Sequence, residues 1–243
     1  MARASKEFLY GLNPAFEALF AGRRNILGAY LNEATAGSGR LSKLASKLTE
    51  NNIPIEFTDK GRLQQLCGSR EHQGIVLRTS LYPYTPHGEL FTANRVLLLD
   101  NVEDPQNVGA ILRSAEVFGF HECLLPIKGV PEIYPSVVKV SAGAVEHMRI
   151  ARDCAANRYA QIALEKGYHI AALDAKGTAD LRTFAAQPPE KLLLVIGGED
   201  RGVGQYILNS AQTLLRLDQF GRINSLNASV AAGIAMFALS RAG

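Results

Sequence analysis

Short apolar runs that do not alternate constrain this chain more than any other feature. Residues 192–196 read LLLVI and residues 96–99 read VLLL. A strand with one face in water alternates apolar and polar side chains. A continuous run belongs to a strand covered on both faces, the habit of parallel sheets flanked by helices. Further strands are expected at 122–125, 148–151, 168–173 and 214–217. Between and after them, helices are expected near 106–118, 135–145, 155–166, 203–211 and 226–241. Residues 95–243 therefore predict an α/β domain with a mostly parallel, doubly covered sheet.

Residues 1–80 carry a different, shorter alternation. Asn13-Pro14 predicts a helix start, with Asn13 as N-cap and Pro14 at the first helical position. Leu41, Leu44, Ala45 and Leu48 mark a second helix, and Leu63 and Leu66 a third. Strands are expected at 26–31, 53–57 and 75–78, with Pro54 marking a sheet edge or the start of the middle one. This reads as a small α/β domain. Residues 81–94 (LYPYTPHGELFTAN) have no clear period and read as a linker.

Composition narrows the class. The 243 residues are 47% hydrophobic and 20% charged, with a net charge of +3, as in an ordinary globular protein. The longest uncharged apolar stretch, Ala228–Leu239, has twelve residues, whereas a spanning helix needs about twenty. The N-terminal stretch has no apolar core of signal-peptide type, so the expectation is a cytoplasmic protein without membrane contact. Three widely spaced cysteines, with no CxxC or HExxH, predict neither a disulfide framework nor a metal site. Charge is uneven: residues 1–80 hold 11 Lys+Arg and 7 Asp+Glu, a balance of +4, against −1 for the remainder. That excess suits either a polyanionic partner or a solvated surface.

Ligands of α/β sheets bind beyond the carboxyl ends of strands, and three strand ends stand out. In 97–120, a buried strand runs into a polar loop and a helix with Asn107 in its first turn and Arg113 six residues on. Spacing alone reads equally as a capped helix with a solvent-facing arginine. In 192–203, a strand ends in Gly197-Gly198 followed by Glu199. Paired glycines let backbone groups reach a ligand, or simply make a tight turn. The spacing matches neither GxGxxG nor GxxxxGK[ST], which removes the main support for a dinucleotide or P-loop enzyme. In 215–239, Asn224, Ser225, Asn227 and Ser229 crowd the start of a small-residue-rich helix. One such group suffices as a cap.

Together NVGAILRSAEVFG, GGEDRG and SLNASVA, in that order, resemble the motifs of the SpoU/TrmH family of RNA ribose methyltransferases. The leading YGLNPAFEAL and HQGI are similar to the small RNA-binding domain of the subgroup that methylates a guanosine of 23S ribosomal RNA. The resemblance spans almost the whole chain. It implies a SPOUT fold with a deep C-terminal trefoil knot, S-adenosylmethionine (AdoMet) bound in the knot, and an active site completed in a homodimer. By matching position it implies active-site roles for Asn107, Arg113, Glu199, Ser225, Asn227 and Ser229. It places cofactor-holding backbone at Gly197, with Gly198 beside it, and at Leu217 and Leu226. The chain departs from the family pattern at Asp218-Gln219, where Pro and an apolar residue are common, and at Ala228, where Val is usual.

The implied reaction is attack of a ribose 2′-OH on a sulfonium methyl group, in which the hydroxyl must lose its proton and no metal is required. The family assigns the base role to the arginine matching Arg113. Because a guanidinium is a poor base, holding a phosphate or stabilising developing alkoxide charge is an equally physical role. Other readings are methylation of transfer RNA, a non-catalytic RNA-binding or ribosome-assembly protein of the same fold, and a nucleotide-using α/β enzyme of another class.

Overall fold

The computed structural model describes residues 6–37, 39–222 and 226–240. In chain order the elements begin β1 (Glu7–Tyr10), α1 (Leu12–Ala21), β2 (Ile26–Asn32), α2 (Gly39–Glu50), β3 (Ile55–Thr58), α3 (Lys60–Cys67) and β4 (Ile75–Thr79). They continue with α4 (His87–Leu90), β5 (Arg95–Asp100), α5 (Pro105–Val117), β6 (Glu122–Leu124), α6 (Pro135–Val140), a 3-10 turn (Ala144–His147) and β7 (Arg149–Ala151). The remainder are α7 (Ala156–Glu165), β8 (His169–Leu173), β9 (Ala179–Asp180), α8 (Leu181–Ala186), β10 (Leu192–Gly197), α9 (Gln205–Ser210), β11 (Thr213–Arg216) and α10 (Ala228–Leu239). None of the described helices is long and apolar enough to cross a membrane.

The chain forms two compact units: residues 1–83 with 133–147, and residues 84–132 with 148–243. The first unit holds a mixed sheet in the order β1-β4-β2-β3, with β3 at an edge beside Pro54. β2 and β3 are parallel, and β4 runs antiparallel to both β1 and β2. The helix expected to start on Asn13 starts earlier. Gly11, at φ 98°, is the N-cap of α1, and no side chain caps it there. Glycine permits that turn, and Gln73 Oε1 accepts the Leu12 N–H at 3.0 Å, so Asn13 is free to accept from Arg40 instead.

The single helix expected over 135–145 is broken. α6 ends at Val140, Ala142 and Gly143 take positive φ, and the 3-10 turn follows. A Cβ on Gly143 would lie 2.6 Å from Glu17 Cβ, so the break lets this segment close on α1. Within the same unit the Arg24 guanidinium is buried between Glu146 and Glu7, with Nε 2.9 Å from both Glu146 oxygens and the Tyr82 ring 5.0 Å away. A buried arginine needs such partners, because an unpaired charge in the interior is costly.

The second unit is built on a seven-stranded, all-parallel sheet in the order β7-β6-β5-β10-β8-β11-β9. The apolar runs are its centre: Leu97, Leu98, Leu193, Leu194 and Val195 are fully buried. The unpatterned stretch 81–94 contains the short helix α4, and Leu90 and Phe91 join the core of this unit. β9 and α8, which no periodicity announced, complete the edge after β8.

The central feature is the pair β5 and β10, adjacent and in register from Arg95↔Leu192 to Asp100↔Gly197. After β5 the chain passes to β6 on one side. After β10 it passes over β8 to β11 on the other. Such a switch point opens a crevice at the carboxyl ends of the two strands.

Candidate active site

Three separate stretches meet at that crevice. From β5 the chain enters α5, whose N-cap Asp104 accepts the Gln106 N–H at 2.9 Å and whose first residue is Pro105. This places Asn107 in the first turn. From β10 comes Glu199, directly after Gly197-Gly198. Asn227 is the N-cap of α10, its Oδ1 accepting from the N–H groups of Ser229 (2.9 Å) and Val230 (3.3 Å).

The three side chains bond to one another. Glu199 Oε1 accepts from Asn107 Nδ2 at 3.0 Å, from Asn227 Nδ2 at 2.6 Å and from the Ala228 N–H at 3.3 Å. Asn227 Nδ2 also donates to Asn107 Oδ1 at 2.9 Å, and Ser229 Oγ donates to Asn227 Oδ1 at 2.5 Å. One carboxylate oxygen thus fixes both amides, and the positive end of α10 favours its charge. Glu199 and Asn227 are exposed and Asn107 is half-buried, so the cluster is open to solvent on one side.

Of the ten residues singled out from sequence, the structure gathers Asn107, Glu199, Asn227 and Ser229 into this network. Gly197 and Gly198 lie beside it, half-buried. Leu217 follows β11, and Leu226, 41% exposed, precedes α10. Ser225 lies outside the described residues. Arg113 is exposed on α5 and makes no hydrogen bond or ion pair among the described residues, so the network does not include it.

The glycines are required by close backbone approach. A Cβ on Gly198 would sit 1.9 Å from the Asn101 carbonyl oxygen, and one on Gly197 2.5 Å from Gly202 C. Gly198 N–H donates to Asp100 O, Gly202 N–H to Gly198 O, and Asn101 Nδ2 to Gly202 O. Asp100 and Asn101 are participants that sequence reasoning passed over. Asp100 is buried, its Oδ2 accepts the Gly204 N–H at 2.7 Å, and burial pushes its carboxyl above the usual range despite that bond. Its signal was visible as the polar residue closing the apolar run of β5. The departure at Asp218 also finds a reason: Arg216 Nε donates to Asp218 Oδ1 at 3.0 Å, so an ion pair forms where a proline would stiffen the turn.

Comparison with known proteins agrees with this geometry. Residues 94–237 match the SpoU rRNA methylase family, and residues 8–85 match the substrate-binding domain of RNA 2′-O ribose methyltransferases. A TrmH family tRNA/rRNA methyltransferase of Bacillus subtilis is 30% identical over 97% of this chain and 95% of its own. Two crystal structures share the fold. One is a SpoU methyltransferase of Streptomyces viridochromogenes, with TM-score 0.81, 19% identity, and coverage of 98% of this chain and 90% of that one. The other is an AdoMet-bound rRNA methyltransferase of Sinorhizobium meliloti, with TM-score 0.78, 22% identity, and coverage of 97% and 87%. A family match over more than half the chain, a relative similar end to end, and the three family motifs gathered at one crevice together make this chain a member of the SpoU/TrmH family of RNA methyltransferases.

Proposed function

We propose that this protein methylates a ribose 2′-hydroxyl in RNA, with 23S ribosomal RNA, at a guanosine, as the favoured substrate and AdoMet as methyl donor. The observation that carries the reading is the Asn107–Glu199–Asn227 network at the switch point. It offers uncharged amide groups held rigidly around a single carboxylate, suited to orienting a sugar without adding net charge. The donor set also suits AdoMet. Half-buried Gly197 and Gly198, with Leu217 and the partly exposed Leu226, offer bare main chain and apolar surface for an adenosyl group. When bound, AdoMet supplies an electrophilic methyl group whose leaving group departs neutral.

Arg113 has a place in this reading as an exposed cation on α5, without an ion pair among the described residues. It would hold the phosphate beside the target ribose or stabilise alkoxide charge. The face shared by α5 and α10 supports a homodimer: Val117, Val230, Ile234 and Phe237 are 66%, 49%, 41% and 66% exposed. A contiguous apolar face of this kind suits association, and Arg113, on the same helix, would then reach the partner's crevice. The backbone crossing of Asn101 with Gly198 and Gly202 supports the knot expected of the fold. In the first unit, exposed Arg40, Lys43, Lys60, Arg62 and Arg70 suit an RNA backbone. A cytoplasmic location goes with such a substrate.

The test is incubation with methyl-labelled AdoMet and deproteinised large-subunit RNA or transfer RNA. Ribose methylation leaves labelled dinucleotides that resist alkali, because the blocked 2′-oxygen cannot attack its phosphate. Label released in mononucleotides, or no label on RNA, counts against the reading. Arg113→Ala is expected to abolish transfer while keeping AdoMet affinity within a few-fold.

A further inference from the structure

His87, Asp153 and Cys154 form a cluster separate from the crevice. His87 opens α4, while Asp153 and Cys154 lie beyond the carboxyl end of β7, an edge strand of the sheet with β6 between it and β5. The three ligand-type atoms all lie within 4.8 Å of one another. His87 Nδ1 is 2.9 Å from Asp153 Oδ2 and 3.8 Å from Cys154 Sγ. A tetrahedral ion with bonds of about 2.0–2.3 Å spaces its donor atoms about 3.3–3.6 Å apart. The Nδ1–Sγ distance is near that spacing, and the Nδ1–Oδ2 pair, at hydrogen-bond distance, must open by a few tenths of an ångström to admit the ion.

The surroundings hold these groups in place. The Tyr159 hydroxyl donates to Asp153 Oδ1 at 2.9 Å and accepts the N–H groups of Asp153 and Cys154 at 2.8 and 3.1 Å. That occupies Oδ1 and turns Oδ2 toward His87, whose own N–H also reaches it at 3.2 Å. Edge-on contacts with Phe91 and Tyr159 fix the imidazole plane. The side chains of His87 and Asp153 are 30% and 41% exposed, so an ion can enter from solvent. A hydrogen-bonded His–Asp pair accounts for two of the three groups. It does not account for a thiol beside the same ring nitrogen.

We propose that His87, Asp153 and Cys154 bind a divalent cation of the zinc class, with water in the fourth position. One nitrogen, one oxygen and one sulfur donor suit zinc or cobalt, and a thiolate disfavours magnesium and calcium. Binding replaces the Cys154 S–H bond with a sulfur–metal bond and releases that proton to solvent. The Nδ1 proton that His87 donates to Asp153 Oδ2 in the metal-free chain is given up to solvent while Nε2 takes one, so the neutral imidazole presents the Nδ1 lone pair. The thiolate and carboxylate together balance the double positive charge. The ion would staple α4, the first helix of the second unit, to the loop after the edge strand.

The experiment is titration of the chelator-treated chain with Co2+, followed by Zn2+. The expected result is a thiolate-to-cobalt charge-transfer band that saturates at equimolar metal, with one proton released per ion, and a higher melting temperature with Zn2+. Cys154→Ser abolishes the band, His87→Ala and Asp153→Asn each weaken binding roughly tenfold or more, and Cys67→Ser leaves it unchanged. Absence of the band at equimolar Co2+, its survival in Cys154→Ser, or undiminished affinity in both His87→Ala and Asp153→Asn overturns the proposal.

Discussion

One oxygen atom organises the candidate active site. Glu199 Oε1 receives two side-chain amides and one backbone N–H, so the orientation of Asn107 and Asn227 depends on it. Glu199→Gln keeps the shape but removes the charge and presents a donor to groups that are already donors. Hydrogen bonds to a charged acceptor contribute about 1.5–3 kcal/mol each, so the loss in methyl-transfer rate should be roughly ten- to a hundred-fold. Initial rates with labelled AdoMet check it, and a wild-type rate would show that the network does not need the charge. Asn227 carries a second duty as the cap of α10, which is why so polar a residue stands ahead of so apolar a helix.

Elements meet here through main-chain contact more than through side chains. The loops after β5 and β10 touch backbone to backbone, leaving no room for a methyl group at Gly198. Gly198→Ala must push Asn101 away and break the register of the crevice. A loss of about 2–4 kcal/mol in urea unfolding is expected, with AdoMet binding lost even where the protein stays folded. A second element-level device lies in the HQG turn of the first unit. His72 is buried and its Nδ1 accepts the Gly74 N–H at 3.1 Å. Burial, with Lys60 and Lys139 nearby, holds its imidazole below the usual 6.5. Below pH 6.5 the unfolded chain therefore binds more protons than the folded one, so stability falls as pH drops from 6.5 toward the folded-state value. Urea midpoints measured on either side of 6.5 should show this slope, and His72→Gln should flatten it.

At the scale of the molecule, sequence order and spatial grouping part company. Residues 133–147 interrupt the second unit along the chain but pack as part of the first. The Arg24–Glu146 pair, with Glu7 on the other side of the guanidinium, anchors them. Arg24→Met removes the cation and leaves two carboxylates beside an apolar interior, at an expected cost of about 3–5 kcal/mol. Chemical unfolding measures that loss. Adding Glu146→Leu should return part of it, because the stranded charge is then gone, and an additive double variant would show the pair is not coupled.

The parallel sheet was legible because being covered on both faces leaves a local trace, the unbroken apolar run. Asn107, Glu199 and Asn227 are marked by their resemblance to the family motifs, since polar residues at strand ends and helix starts read equally as turns and caps. Local spacing does not encode which strand ends become neighbours. Only the strand order placed β10 beside β5, and with it Glu199 beside Asn107. The same limit hid the role of Asp100, the start of α1 on Gly11 and the meeting of His87 with Cys154, each decided by contacts between distant parts of the chain. The sequence by itself determined the layers and the chemical inventory, since periodicity and composition act over a few residues. The tertiary structure alone decided which of those residues share a site, because that depends on how the sheet is threaded.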